Sequence, residues 1–541
     1  MNILSTLHKK IFQFKDCNNG LVIHLGLLAL YSSLFILVYY IHLLKIEEDS
    51  IKAYHQVKLS QCLVVVMIIH LLSLIYFRWQ QFILLIKEYF TEKGSPYNLA
   101  IFRILFFCKL AEHFFLQTKN IEISWTYLPD SSRVGLPFIS WLVYHLPINP
   151  ELYSFLSIVA GTLCLLICIG FFTRYAILLL LPIAFYVLGV PMFYGKISHY
   201  HILLWVPLLF SLVPIADVWS VDAFIRKKRK IVISVEPHLK YFLPFKILWL
   251  QFSIIYCFAG IVKLWDCGLD WALSDSMINQ MRWEWVEHYD KVPYFRLDNY
   301  PILAKLGGLG VIYFELLYFL LIIKPKGRIW AFIGGYSLHK ICGYFMYIDF
   351  YHLRLVASSY INWQKIIKFI KNKFAPVIEH NVEYSTDSLM KILKKEKLKI
   401  SFLIGIIFIS INFLFSCFKI HSYPFSSYPT YSAIIKGEIQ IIKMEAYDSH
   451  NKKIDVKLLG EKAQYRWENI RPHEMRIAEL FDKKDSTILQ AKLNEYWQLW
   501  CNNVKGLEDV KKIDMYLETT SIVPEKRNII LSRAYLGEVS L

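Results

Sequence analysis

Apolar runs near the roughly 20 residues that carry an α-helix across a bilayer recur along this chain, and they leave few folds open to it. Ten stand out in the 541 residues, at about 20–44, 59–77, 98–116, 151–172, 175–194, 200–217, 243–264, 302–323, 329–349 and 399–418. Backbone surrounded by lipid must satisfy its N–H and C=O groups internally, so such runs become helices packed side by side. A composition 56% hydrophobic and 16% aromatic agrees with that,. The expectation is an all-α polytopic membrane bundle of nine or ten transmembrane helices with a small C-terminal α+β extramembrane domain. The first run is too long for a cleavable signal peptide, and no clean small-residue cleavage site follows it.

Charge sets the orientation. Lys and Arg outnumber Asp and Glu by 60 to 43, a formal +17, and the excess collects between apolar runs: "RKKRK" at 226–230, "KPKGR" at 324–328 and "KILKKEKLK" at 391–399. That is positive-inside placement. No aromatic-studded basic domain accompanies the lysines, which argues against nucleic acid as a partner. With "RKKRK" in the cytoplasm, the amino terminus is cytoplasmic, and His199, His201 and Lys263 share the outer side. One segment resists this scheme. The run 329–349 ends outside, whereas the lysines after Trp363 look cytoplasmic, so "FYHLRLVASSYINW" returns through a short or re-entrant segment, or else that stretch lies outside.

The membrane region reads as an amino-terminal portion, 1–95, and a larger body, 96–418. After Cys417 the apolar runs stop. "GEIQIIKMEAYD" and "KKIDVKLL" alternate apolar and polar residues around "SHN", a hairpin pattern, and "KKIDMYLETTSIV" alternates again. Between them "MRIAELFDKKDSTILQAKLNEYWQLWCNNV" has helical spacing. Residues 419–541 are therefore expected as the small extracytoplasmic α+β domain. Most of the ten cysteines fall in or beside apolar runs as packing residues,. Cys267 and Cys501 would both face outward, and a disulfide between them is left open.

Four stretches place polar groups where lipid penalises them. In "YGKISHYHILLW", His199 and His201 are two apart and so cannot share a helix face as metal ligands; a histidine at a helix mouth is more often a hydrogen-bonding interfacial residue than a catalyst. In "YCFAGIVKLW", Lys263 ends a run from Leu243 to Val262 that holds one other lysine and no carboxylate. Low dielectric favours the neutral amine, which is a base, yet a lysine at a helix end can also snorkel its head to the interface. His339 and Lys340 in "LHKICGYF" lie inside an apolar run, where an ionisable residue is a functional-site hypothesis by default and a buried structural histidine is equally ordinary. Arg103 in "SPYNLAIFRILFF" is expected to anchor the inner interface.

In order and spacing, these blocks resemble the vitamin K-dependent gamma-carboxylases and the wider bacterial group built on the same horizontally transferred transmembrane domain (HTTM). "FRILFF", "SHYHILLW" with "ADVWSVDAF", "YCFAGIVKLW" with "DWALSDSM", "LHKICGYF" with "ASS", and "YPFSSYPTYS" carry the likeness over roughly 95–435. The resemblance implies a lyase-type enzyme. Lys263 would deprotonate reduced vitamin K or menaquinol, O₂ would oxidise the anion, and the resulting base would let CO₂ add to glutamate in a secreted or surface peptide. It also implies His199 and His339 as catalytic partners of Lys263, a quinone site at His199, Tyr256 and Trp271, membrane lipid around the whole, and no metal.

Departures from the family pattern accompany the likeness. Val262 stands where the carboxylases have a second lysine, Ser198 where they have asparagine, and Ser274 where they have glycine, and their large lumenal domain is replaced by the short one after Cys417. The alternative is a non-catalytic HTTM protein serving export, maturation or immunity of a secreted peptide. A transporter is disfavoured, because neither an inverted repeat nor a pair of broken apolar helices is evident.

Overall fold

The computed structural model describes residues 49–117, 136–146, 149–193, 201–231, 235–288, 291–348, 350–372, 388–427, 431–454, 467–484, 486–501 and 510–540, with 26 and 30. The expected run 20–44, apart from 26 and 30, and His199 lie outside the described residues. The main helices are α1 (Asp49–Phe77), α2 (Trp79–Thr91), α3 (Pro96–Glu112), α4 (Pro150–Ile169), α5 (Thr173–Ala184), α6 (His201–Ser211) and α7 (Leu243–Cys267). They continue with α8 (Ser276–Glu287), α9 (Pro301–Ile323), α10 (Pro325–Phe345), α11 (Tyr351–Ala357) and α12 (Lys399–Cys417). Five segments among the described residues are long and apolar enough to cross a membrane: Tyr54–Phe77, Glu151–Ile169, Leu243–Cys267, Pro301–Ile323 and Lys399–Cys417. The expected runs at 175–194 and 200–217 are shorter apolar helices, Thr173–Gly189 and His201–Ser211.

Local sequence explains the helix ends. Proline, whose missing N–H costs nothing in a first turn, opens α3, α4, α9 and α10. Ser95 Oγ caps α3 by accepting from Tyr97 N, and Asn149 Oδ1 caps α4. Gly170 closes α4 in the left-handed region at φ 73°, with Ser220 so near that a Cβ would fall 2.2 Å from Ser220 Cβ. Only glycine suits both demands.

The three basic stretches gather at one end of the bundle. His238 meets Glu396 at 2.6 Å, Arg226 and Lys240 converge on Asp217, and Lys324 reaches Glu88. Just inside that end, Glu92 accepts from both Lys246 and Arg328, tying α2, α7 and α10 together. Arg103 departs from expectation. It is fully buried and donates to the carbonyls of Ile215 and Trp219, because a guanidinium with five donors can satisfy the carbonyls of the "ADVWS" turn that water would otherwise serve. The segment after α10 does return. Tyr351 bonds His113 at the far end of α3, Trp249 donates to Ser359, and the Gln364 N–H donates to Asn98 at the start of α3, so α11 and the turn after it lead back to the basic end.

At the opposite end, where α7 finishes and α12 delivers the chain, sits the α+β domain. Two hydrogen-bonded residues each from β1 (His421–Ser422) and β2 (Phe425–Ser426) make a small ladder. A four-stranded antiparallel sheet follows in the order β4-β3-β5-β6, from β3 (Glu438–Tyr447), β4 (Lys453–Ile454), β5 (Lys512–Ser521) and β6 (Ile530–Ser540). The "SHN" hairpin is present, pairing Ala446 with Ile454. The helical stretch is two helices, α13 (Trp467–Asp482) and α14 (Ser486–Cys501), which share a core with the sheet through Ile477, Leu493, Tyr496 and Met515. Cys267 is a free thiol whose Sγ donates to Ser432 O; the side chain of Cys501 lies outside what is described.

Candidate functional site

Three helices bring their ionisable residues to one place: α9 and α10 each carry one buried stripe, and α7 is buried over most of its surface. On α9 the stripe is Ala304, Gly308, Ile312, Glu315, Tyr318 and Ile322, steps of three and four that line up on one helical face. Along α10 it is Arg328, Ala331, Gly335 and His339, and the buried residues of α7 include Tyr256, Ala259, Gly260 and Lys263. Gly260 lets α7 and α9 approach closely, since a Cβ there would lie 3.2 Å from Glu315 Cβ and 3.1 Å from Leu316 Cγ.

The consequence is an ion pair inside the bundle. Lys263 Nζ donates to both carboxylate oxygens of Glu315, at 2.8 and 2.9 Å, with the two residues only 2% and 6% exposed. The snorkelling reading of Lys263 is therefore wrong. Glu315 stands fourteen residues into α9, about 21 Å along the axis at 1.5 Å per residue,, and the amine reaches inward to it instead of outward to head groups. The fold holds this amine as one half of a hydrogen-bonded pair with a carboxylate, so proton exchange there belongs to the pair and to neither residue alone.

Around the pair lies a cavity of about 100 Å³. Lys263, Glu315, Tyr256, Trp271, His339 and His352 supply its polar and aromatic walls, and Met277, Gln280, Met346 and Tyr431 also line it; the helix carrying Met277 and Gln280 bonds to Ile435 at the start of the α+β domain. Tyr256 Oη and His339 Nε2 are 2.6 Å apart. Trp271 turns its ring to the Lys263 ammonium at 5.1 Å and gives its indole N–H to Tyr431 O, so the linker into the α+β domain fixes one wall.

Of the residues anticipated from sequence, Lys263, His339, Tyr256 and Trp271 thus share one cavity, while His199 lies outside the described residues. His201, its neighbour, is fully buried against the rings of Tyr423 and Trp205. Glu315 was missed, although it is the single carboxylate of the run 302–323 and the same reasoning that singled out Lys263 applies to it. His352 was missed too; "FYHLRL" offers no periodic signal that aims it at a pocket.

A quinol is tested against this cavity by its donor set and its room. A ring hydroxyl needs an acceptor and a flat apolar bed, and Lys263–Glu315 with Trp271, Tyr256 and Phe350 offers both. The room is tighter, below the roughly 150 Å³ that admits benzene. That leaves room for no more than the oxygen-bearing edge of a ring, and the lining includes Met277 and Met346, which are unbranched and adaptable.

Residues 92–365 match the family model described as the HTTM domain. No curated protein and no solved structure matches the chain.

Proposed function

The chain belongs to the HTTM domain family, and from that premise we propose that its central cavity carries out acid–base chemistry on a membrane-dissolved quinol to drive carboxylation, or a related modification, of glutamate in a secreted or surface peptide. The observation that supports this most is the buried Lys263–Glu315 pair set beside the Tyr256–His339 hydrogen bond in one cavity. Reduced vitamin K or menaquinol is the cofactor proposed, with O₂ and CO₂ as co-substrates. When bound, it would supply an acidic hydroxyl and reducing equivalents.

The chain's own residues have defined tasks in this reading. Lys263 and Glu315 accept one proton from the hydroxyl presented to them, and burial excludes the water that would compete for it. Tyr256 and His339 hydrogen-bond to each other at the cavity wall, which keeps the imidazole oriented for a second oxygen. Trp271 provides a face against which a flat ring can stack, with its own tilt held through Tyr431. Gln280 and the two methionines line the cavity, and the helix of Gln280 bonds to the start of the α+β domain, the side from which a peptide would come. The basic end is proposed as cytoplasmic by the positive-inside rule, which places the amino terminus inside and the α+β domain outside.

One observation favours a second reading, a non-catalytic HTTM protein acting in export, maturation or immunity of a secreted peptide. Glu315 already satisfies Lys263 with two hydrogen bonds, as a purely structural pair would. The two readings part on product. Purified protein is supplied with a quinol, O₂, labelled CO₂ and a glutamate peptide, and quinone epoxide and peptide label are measured together. Epoxide with label supports the enzyme, epoxide alone limits it to quinol oxidation, and neither product with vitamin K hydroquinone or menaquinol favours the non-catalytic protein.

A further inference from the structure

The loop from Lys291 to Tyr300 leads directly into α9, a helix of 23 residues and so about 35 Å long,, with Lys324 at its other end. That length matches a hydrocarbon core of about 30 Å, which puts Tyr300 and the loop at head-group level on the side of the α+β domain. The loop is rigidly built. Asp298 is buried and accepts from Arg282 at 2.9 Å and from Arg296 through both oxygens at 2.8 Å, while Phe295 and Tyr300 stack at 5.4 Å. Yet this rigid loop turns its aromatic side chains outward, and Tyr294 is completely exposed (101%).

Arg296 also reaches across to Glu525 at 2.8 Å, and Arg527 donates to Arg282 O at 3.4 Å. These contacts bring the connection between β5 and β6 to the level of the loop. Next come Ile529, which ends that connection, and Ile530 and Leu531, which open the edge strand of the sheet, exposed at 53, 51 and 49%. Ile530 pairs with Thr520 and Ser532 with Thr519, so Leu531 is the extra residue of a bulge, and both apolar side chains stand uncovered there. A bulge blunts strand pairing at such an edge but does not cover its side chains; here the apolar residues stand beside an interfacial tyrosine–phenylalanine cluster, with Lys291 and Lys526 exposed nearby in sequence.

We propose that the start of β6 and the Lys291–Tyr300 loop together form a lipid-seated foot, which rests the α+β domain on the outer leaflet of the membrane its own helices cross. Aromatic residues suit the interface between water and lipid, Ile529 to Leu531 enter the acyl boundary, and the two lysines face phosphate head groups. The Arg296–Glu525 pair joins the two halves of the foot. This surface stands apart from the cavity chemistry, and its test does not depend on activity.

The test places a photo-crosslinking side chain at single positions of the full-length protein in nanodiscs of phosphatidylethanolamine and phosphatidylglycerol: Leu531→benzoylphenylalanine and Tyr294→benzoylphenylalanine, with exposed Leu303 of α9 as the lipid-facing reference and Lys453 on the opposite edge strand as the aqueous one. Lipid adducts read by mass spectrometry are expected at 531 and 294 at about the Leu303 yield and about tenfold above Lys453, as for groups seated about 5–10 Å into the head-group boundary. Labelling at 531 no higher than at Lys453, while Leu303 labels normally, overturns the proposal. An adduct joining Leu531 to a second copy of the chain also overturns it and makes the exposed edge an interface between copies.

Discussion

Tyr256 on α7 and His339 on α10, 83 positions apart in the chain, are joined by a hydrogen bond of 2.6 Å at the wall of the central cavity. Tyr256→Phe keeps the ring that packs against Tyr318 at 4.4 Å and deletes only the hydroxyl. The expected cost in stability is about 1 kcal/mol, the net worth of one hydrogen bond. Turnover should fall further than that, with a displaced pH–rate profile, because His339 loses its orienting partner. A kinetic pH series on the variant, beside a thermal melt in detergent, checks both parts.

Removing one partner of a buried ion pair strands the other charge. Lys263→Met should destabilise the protein by about 3–5 kcal/mol, and Lys263→Met with Glu315→Leu should recover most of that loss. Thermal unfolding of native, single and double variants in the same detergent reads the difference. A double variant as unstable as the single would mean that the pair is not the electrostatic unit described above.

Close approach of α7 and α9 depends on Gly260, above which Glu315 Cβ and Leu316 Cγ leave little space. Gly260→Val pushes the helices apart without touching a charge. The expected result is loss of about tenfold or more in turnover, since a displacement near 1 Å of reacting groups can cost about a hundredfold. Comparing turnover of this variant with its melting temperature separates misplacement from unfolding.

The α+β domain carries its own pH signature. Glu445 on β3 accepts from Lys453 at 2.7 Å, with Arg533 of β6 at 3.0 Å and the Tyr447 hydroxyl also at 3.0 Å, and these partners hold its carboxyl down at about 2. A depressed folded value means that the unfolded chain takes up the proton first as pH falls. The stabilisation is therefore complete above the ordinary carboxylate range near 4.5 and is lost progressively as pH drops toward 2,. In Glu445→Gln that acid-dependent component should vanish, which circular dichroism of β-structure between pH 5 and pH 2 would register.

Much of this architecture is legible in the residues, and the failures have physical causes. Prolines and apolar length mark α4, α7 and α9, apolar length alone marks α12, and the basic loops do gather at one end. Lys263 and His339 announce themselves as ionisable groups in apolar runs. Glu315 carries the same signal, but a search for the acceptor near Lys263 in sequence looks along α7, and its partner comes from a helix 52 positions away. Arg103 misleads for the opposite reason: a lone arginine in an apolar run suggests an interface, and only the fold of the chain from Ile215 to Trp219 around it supplies the carbonyls that permit burial. The β6 strand escapes notice because the apolar run Ile529–Leu531 leads into it with a bulge at Leu531, which breaks the alternation expected of a half-buried strand. His352 becomes a cavity residue only through the return of the chain after α10, a matter of topology that no local pattern records.

The measurement that bears most directly on the central claim is turnover of a quinol with O₂ by the native protein, Lys263→Met and Glu315→Gln, followed as epoxide. If Lys263 and Glu315 accept the proton together, the native protein turns over and both variants fall by about 10²-fold or more, in the range general-base catalysis contributes, while remaining folded. Native-like turnover in Glu315→Gln with loss only in Lys263→Met would contradict the shared role and return the chemistry to the lysine alone, and native-like turnover in both variants would remove the pair from the reaction.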